Sequence, residues 1–382
     1  MDFELTEEQR IIQDTAAKFA KHELEPVAAE IDRTKDRDIL KNNLRKLAEL
    51  GFMGLNVDPD YGGTGAGTVA FSLVMTELGR ACASTTVTAS VNNMVAEVIQ
   101  AVGNEEQKNK YIPPICGGEF YAGSFGLTET SAGSDPAGMR TSAVLDGDHY
   151  VLNGNKIFIS SAEYAGVFVV WAVTDREAKK GKGISAFLVE PGFPGFIIGR
   201  DEHKMGQNAS STNELVFENC RVPKENLLGK ENDGFRIAVA ELAGGRVGIG
   251  SMALGIGLAA MDYASKYAKE RVQFGKPIAD QQAIQWMIAD NYTRLDAARL
   301  LLLRAAFMKD QGQYYAKEAS MAKLFATESA NKACYDALQM LGGYGYTNEF
   351  PIERYARDVR VTTIYEGTSE IQRIIIAREL LK

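Results

Sequence analysis

The chain has 382 residues, 45% of them hydrophobic and 24% charged, with a net charge of −8. That length exceeds what one hydrophobic core serves, so two or three domains are expected, and the negative charge argues against nucleic acid or an acidic membrane as the main partner. Four scattered cysteines (Cys82, Cys116, Cys220, Cys334) exclude a disulfide framework and indicate a reducing compartment, while three scattered histidines (His22, His149, His203) support neither a zinc site nor a Ser-His-Asp triad.

The N-terminal MDFELTEEQR is acidic and helical in pattern, unlike a secretory signal or an Arg-rich transit peptide. No apolar run is read as long enough to span a bilayer. A bacterial cytoplasmic location is expected, with a processed mitochondrial matrix protein as the alternative. Thr6 and Gln9 form a capping box, followed by Ile11, Ile12, Ala16 and Phe19 at helical spacing. RDILKNNLRKLAELGF repeats the helical period and stops at Gly51. TVAFSLVMTELGRAC and TASVNNMVAEVIQAVG are two more helices of buried character.

Near Gly117 the pattern turns to β. GDHYVLNGNKIFIS reads as a hairpin strand pair with Asp-Gly and Asn-Gly turns, and GVFVVWAVT, GISAFLVEP and NELVFENCRV are short apolar or alternating strands. No helices separate them, so an antiparallel barrel or sandwich is expected rather than a parallel nucleotide-binding sheet. After Asn232 four long helical segments predict a C-terminal four-helix bundle. The first carries six glycines between Gly244 and Gly257, each unfavourable in a helix by roughly 0.8–1 kcal/mol relative to Ala. They imply close approach by another helix or a ligand. The expected domains are residues 1–118 (helical), 119–230 (β) and 231–382 (helical bundle), an α+β multi-domain architecture.

Several loops have the chemistry of a binding site. FGLTETSAGSDPAGMRT offers backbone N–H groups and hydroxyls to a polar ring or phosphate. RVQFGKPIADQQAIQ sets Arg271, Lys276 and Gln282 around a Gly-Pro break, and an Arg fork suits a diphosphate. LQMLGGYGYTNEFPIERYARD ends a helix at Gly342-Gly343, either for close approach to a flat ligand or as a helix stop. YGGTGAG is read as a plain turn, because no strand precedes it.

Together GLTETSAGSD, NGNKIFISSA, KMGQNASSTNELVFENCRVP, ERVQFGKPI, LQMLGGYGY and IYEGTSEIQR, in this order, resemble the acyl-CoA dehydrogenase family over essentially the whole chain. The resemblance implies FAD as cofactor, an acyl-CoA substrate, electron-transfer flavoprotein as partner and a homotetramer. It implies that Phe125, Leu127, Thr128 and Ser134 lie along the flavin, with Phe158, Ile159 and Ser160 on the other side of the ring. It further implies that Arg271, Phe274, Gln282, Gln339, Gly342 and Gly343 reach the FAD of another subunit, and that Thr368 and Glu370 meet it at the last helix's N-terminus. Glu366 is implied to be the base that removes the α-proton while the β-hydrogen passes to the flavin, with Ser134, Arg246, Tyr365 and Gly367 at the substrate. Some branched- and long-chain members carry the base at the position that reads Gly245 here.

The chain departs from the family pattern at Phe158, where tryptophan is common, at Ala243, where aspartate often sits, and at Gln281 and Trp286, which replace aromatics. The helix carrying VNN has no arginine for a second carboxylate, which argues against glutaryl-CoA. The expected reaction is dehydrogenation of a short- or medium-chain, branched or alicyclic acyl-CoA to the 2-enoyl-CoA. The alternatives are an acyl-CoA oxidase-like enzyme and a flavin- and acyl-CoA-binding protein without turnover.

Overall fold

The computed structural model describes residues 4–382; Met1–Phe3, the start of the stretch expected to be helical, lie outside them. The first third is helical. In α1 (Glu7–Phe19) the Thr6 hydroxyl accepts from the Gln9 N–H and the Gln9 side chain returns to the Thr6 N–H, which completes the expected box. Ala16 and Phe19 are buried, whereas Ile11 faces solvent. The short α2 (Ala28–Thr34) leads to α3 (Arg37–Glu49), which buries Leu40, Leu44 and Leu47 and gives way at Gly51, whose φ of +75° favours glycine. The helices α4 (Gly67–Ala81) and α5 (Ala83–Val102) are buried on almost every side, and α6 (Glu105–Cys116) closes the layer. YGGTGAG is a turn before α4. The Asp310 carboxylate accepts from the N–H groups of Thr68 (2.6 Å) and Val69 (3.0 Å), so protein already satisfies that helix end.

Eight strands follow: β1 (Ala122–Gly126), β2 (Ser142–Asp146), β3 (His149–Ser160), β4 (Ala165–Val173), β5 (Ile184–Val189), β6 (Phe196–Asp201), β7 (Thr212–Pro223) and β8 (Leu227–Leu228). They form one sheet in the order β6-β7-β3-β2-β4-β5-β8, with β1 beside β4. Pairing is antiparallel except where β1 and β2 meet β4. Val167, Val169 and Trp171 of β4 face the α5–α6 side, and Phe168, Val170 and Ala172 fill a second core on the opposite face. Burial of both faces explains why this strand reads as a continuous apolar run.

The expected hairpin is corrected in one respect. Asp146-Gly147 is the turn between β2 and β3, but Asn153-Gly154 lies inside the continuous β3, where the register with β7 shifts by a bulge. Gly154 sits at φ +138°, and a Cβ there would fall 2.7 Å from the Thr141 Cα. The glycine answers a close backbone approach rather than a reversal.

The C-terminal region contains α7 (Gly234–Glu270), α8 (Gln282–Asp310), α9 (Ala316–Leu341) and α11 (Ser369–Leu380), the four expected helices, plus a short α10 (Ile352–Arg360) that the sequence reading did not separate. The Gly-Pro break is a small hairpin, β9 (Val272–Gln273) with β10 (Lys276–Pro277), turning through Phe274 and Gly275 at φ +54° and +77°. By length and composition α7 could cross a membrane, contrary to the expectation that no apolar run is long enough. Its most apolar window is 78% buried inside the fold, as befits a core helix. Glycines on both helices allow α7 and α4 to cross closely: a Cβ at Gly255 of α7 would collide with the Thr76 carbonyl of α4, and one at Gly79 of α4 would lie 2.6 Å from the Met252 carbonyl oxygen of α7. All four cysteines are free and buried.

Candidate functional site

The segment between α10 and α11 makes a tight turn. Glu366 has φ +52° and Gly367 φ +91°, two successive left-handed residues of which the first is not glycine. Such a backbone is sparsely populated and persists only where its surroundings hold it. Here the turn's carbonyls are clamped. Lys323 Nζ on α9 donates to Tyr365 O (2.9 Å) and Gly367 O (2.7 Å), and Gln372 Nε2 on α11 donates to Glu366 O (3.2 Å) and Gly367 O (2.8 Å). Gln207, from the loop between β6 and β7, donates to the Tyr365 hydroxyl at 3.1 Å. The Thr368 hydroxyl accepts from the Ile371 N–H and so caps α11.

The Glu366 side chain runs against Gly245 on α7. A Cβ at Gly245 would lie 2.5 Å from Glu366 Oε2 and 2.9 Å from Met94 Sδ, so glycine at 245 makes the space that the carboxylate occupies. Oε2 is enclosed and has no hydrogen-bond partner among the described residues. Burial pushes the Glu366 carboxyl up to about 7, against the opposing pull of Lys323 and Arg246. A carboxylate poised near neutrality, free of protein donors and carried on a clamped backbone has the properties of a proton acceptor.

Unsatisfied polar atoms gather here. Arg246 Nε, Glu366 Oε2, Ser369 Oγ and Gln372 Oε1 are four of the ten buried side-chain atoms without a partner among the described residues. Folded proteins rarely leave such groups unpaired, and several within one turn and its neighbours suit a site that a polar ligand completes.

Next to Gly245 is a second charged group that sequence reasoning missed. The position of a Cβ on Gly244 lies 3.1 Å from Lys309 Nζ and 3.7 Å from both Glu241 Oε1 and the Tyr315 hydroxyl. Lys309 is ion-paired with Glu97, whose other oxygen accepts from Asn56 at 2.8 Å. Burial, with Glu97 and Glu366 nearby, pushes the Glu241 carboxyl up to about 8, opposed by Lys309. Glu97, Glu241 and Lys309 come from three helices, and no local motif joins them.

The residues assigned to the flavin fall into two groups. Phe125, Leu127, Thr128, Phe158, Ile159 and Ser160 lie together: Ile157 N–H donates to Thr128 O (2.9 Å), and Ser124 Oγ donates to Ser160 O (2.5 Å). The Phe125 ring packs on Trp171 at 4.3 Å, and the Trp171 indole donates to Gly234 O at the start of α7. Met94, against Gly245, shares an apolar cluster with Leu127. Leu127 and Ile159 are buried, with the Ile159 side chain in the sheet's core. Phe158 is 61% exposed at φ +59°, and Ser134 and Glu370 are exposed.

The second group, Arg271, Phe274, Gln282, Gln339, Gly342 and Gly343, is exposed beyond the opposite end of α7. Arg271 lies over the Tyr344 ring at 5.8 Å, which ties the β9–β10 hairpin to the turn after α9. Phe274 is 95% exposed. Gly245 and Arg271 are 26 residues apart along α7 and its end, about 39 Å at 1.5 Å per residue. One chain cannot bring both groups to the same small ring system.

The whole chain has recognised relatives. Residues 6–119, 124–220 and 232–381 match the family profiles Acyl-CoA dehydrogenase N-terminal, middle and C-terminal domain, respectively. The chain is 48% identical over 386 aligned positions to acryloyl-CoA reductase (NADH) of Anaerotignum propionicum, covering 100% of this chain and 96% of the relative. It is 45% identical to the short-chain specific acyl-CoA dehydrogenase of Clostridium acetobutylicum, with full coverage of both. A solved chain from work on the electron transferring flavoprotein of Acidaminococcus fermentans and flavin-based electron bifurcation superposes with a TM-score of 0.97 at 47% identity, again over all of both chains.

Proposed function

Because this chain belongs to the acyl-CoA dehydrogenase family, we propose that it is an FAD-dependent enzyme that oxidises a short-chain acyl-CoA to the 2-enoyl-CoA and passes the electrons to electron-transfer flavoprotein. The observation that carries the reading is the Glu366 carboxylate: half-buried, with Oε2 enclosed and unpartnered, carried on a clamped turn and raised to about 7. An acyl α-proton is weakly acidic, so its removal needs a base of matched strength and fixed donors for the oxygen on which charge develops. Glu366 is assigned as that base, and its own backbone N–H as one donor to the thioester oxygen. FAD, when bound, supplies the acceptor for the hydride that leaves the β-carbon as the proton goes to Glu366. Arg246 and Tyr365 line the substrate beside Gly367.

The residues fit that cofactor. Phe158 is exposed beside the segment Phe125–Thr128, as a ring-stacking surface requires, and Arg271 offers an exposed fork for a diphosphate. Thr128, Ser134, Ile159, Ser160, Thr368 and Glu370 are assigned to the flavin of the same chain. Arg271, Phe274, Gln282, Gln339, Gly342 and Gly343 are assigned to the cofactor of a neighbouring copy, since α7 separates the two groups by tens of ångströms. A homotetramer, a cytoplasmic location and domains divided after residues 118 and 230 complete the reading.

The relative named for acryloyl-CoA reduction favours a second direction: the same site run backwards, adding hydride at Cβ and a proton from Glu366 at Cα. An acyl-CoA panel with anaerobic bleaching of the bound flavin tests the reading. Butyryl-CoA is expected to bleach it. Failure of every saturated acyl-CoA to do so, with an enoyl-CoA reoxidising the chemically reduced protein, would leave the reductive direction.

A further inference from the structure

Lys323 has 0% of its surface exposed. It emerges from a face of α9 otherwise made of Ala319, Ala322, Ala326 and Ala330, all buried. A buried ammonium is strongly unfavourable unless charged or polar groups compensate it. Among the described residues no carboxylate is hydrogen-bonded to it; its bonds go to the carbonyls of Tyr365 and Gly367. The charged groups around it are Glu366 on the turn, Arg246 on α7 and Glu370 at the start of α11. What sets it apart from a buried lysine paired with a carboxylate is that its donors are directed at two carbonyls of the turn, which points to a task there.

The peptide bond supplies that task. In a planar trans peptide the C=O and the following N–H point in opposite directions. By holding the Tyr365 oxygen, Lys323 fixes the direction of the Glu366 N–H. An ammonium on the carbonyl also polarises the peptide and makes that N–H a stronger donor, as in any chain of linked hydrogen bonds. Its second bond, to Gly367 O, pins the peptide on the far side of Glu366. We propose that Lys323 is a positioning residue that aims and polarises the Glu366 backbone N–H toward the thioester oxygen, so that the enolate is stabilised through the Tyr365–Glu366 peptide. This rests on the site assigned above but not on the Glu366 side chain being the base, because the donor is backbone.

The test uses the flavin-loaded protein and acetoacetyl-CoA, an acidic thioester whose bound enolate is read by its ultraviolet band at one fixed pH. Lys323→Met is expected to lower the bound enolate-to-keto ratio by roughly tenfold and to lower kcat by a similar factor with little change in KM. The same fall in enolate ratio is expected when Lys323→Met is made in Glu366→Gln protein. Lys323→Gln, which keeps a donor without charge, should fall between Met and the native protein; it decides the matter if the Met variant does not load flavin. An unchanged enolate ratio in a flavin-loaded Met or Gln variant overturns the proposal. Unchanged turnover in Glu366→Gln would instead overturn the assignment of the base, so the two failures are distinguishable.

Discussion

Two buried Glu–Lys neighbourhoods in this molecule have opposite designs. In the β-region Glu129 accepts from Lys156 (2.8 Å) and from the N–H groups of Arg140 (2.6 Å) and Thr141 (3.0 Å). Burial disfavours its charge, but Lys156 and these bonds outweigh it, and its carboxyl is lowered. At the turn Glu366 is also near a buried lysine, Lys323, yet the lysine bonds to carbonyls, the carboxylate is left without a partner, and burial wins. The same two residue types thus make a structural staple in one place and a poised acid–base group in the other. What separates them is whether the carboxylate's lone pairs are taken.

The sharpest way to break this contrast is to remove each carboxylate. Glu366→Gln should lower kcat by ~10²–10⁴ while flavin content stays near native and stability is not reduced. Glu129→Ala should do the reverse. Stranding Lys156 should cost about 3–5 kcal/mol of stability, read by denaturant unfolding, with activity per folded molecule largely kept. If Glu129→Ala proved as stable as the native protein, the staple reading would fail.

A smaller effect comes from Gly245→Ala. The new methyl would meet Glu366 Oε2 at 2.5 Å, and a flexible side chain can yield. The protein should fold normally, yet the displaced carboxylate should cost about tenfold to a hundredfold in kcat, since small misplacements of a catalytic group are expensive. Native kcat with Ala at 245 would show that the carboxylate's position against α7 is irrelevant.

The pH dependence is the gentlest probe. Glu366 acts as a base only when ionised, so kcat/KM should rise with pH and level off above about 7. Stability should move the other way. Its folded pKa is raised above the unfolded value, so its contribution is fully present below about 4.5 and is lost as pH rises through about 7. Glu366→Gln should therefore be more stable than the native protein at pH 8, by at most about 3 kcal/mol, and no more stable at pH 4.5. Equal stability of the two at pH 8 would show that Glu366 is not held in a desolvated site.

Much of this was legible in the sequence, for identifiable reasons. Helical periods and the Thr6–Gln9 box report local structure, and Gly367-Thr368 after Glu366 announces a turn that ends in a helix cap. Asn153-Gly154 misled because one dipeptide serves both a hairpin turn and a bulge; which it is depends on Thr141, thirteen residues before Gly154. Lys323 was invisible because a lysine in a helix ordinarily reaches water, and its partners lie 42 and 44 residues downstream. Glu97, Glu241 and Lys309 are likewise far apart in the chain, Glu97 and Lys309 by 212 residues, and their meeting depends on helix packing that no local pattern encodes.

The central claim is that the Glu366 side chain takes the α-proton. It is tested most directly by mixing butyryl-CoA anaerobically with flavin-loaded native and Glu366→Gln protein and following flavin absorbance. The account predicts rapid bleaching of the native protein, and ligand binding by the variant with bleaching slowed at least a hundredfold. Bleaching of the variant at the native rate would contradict it.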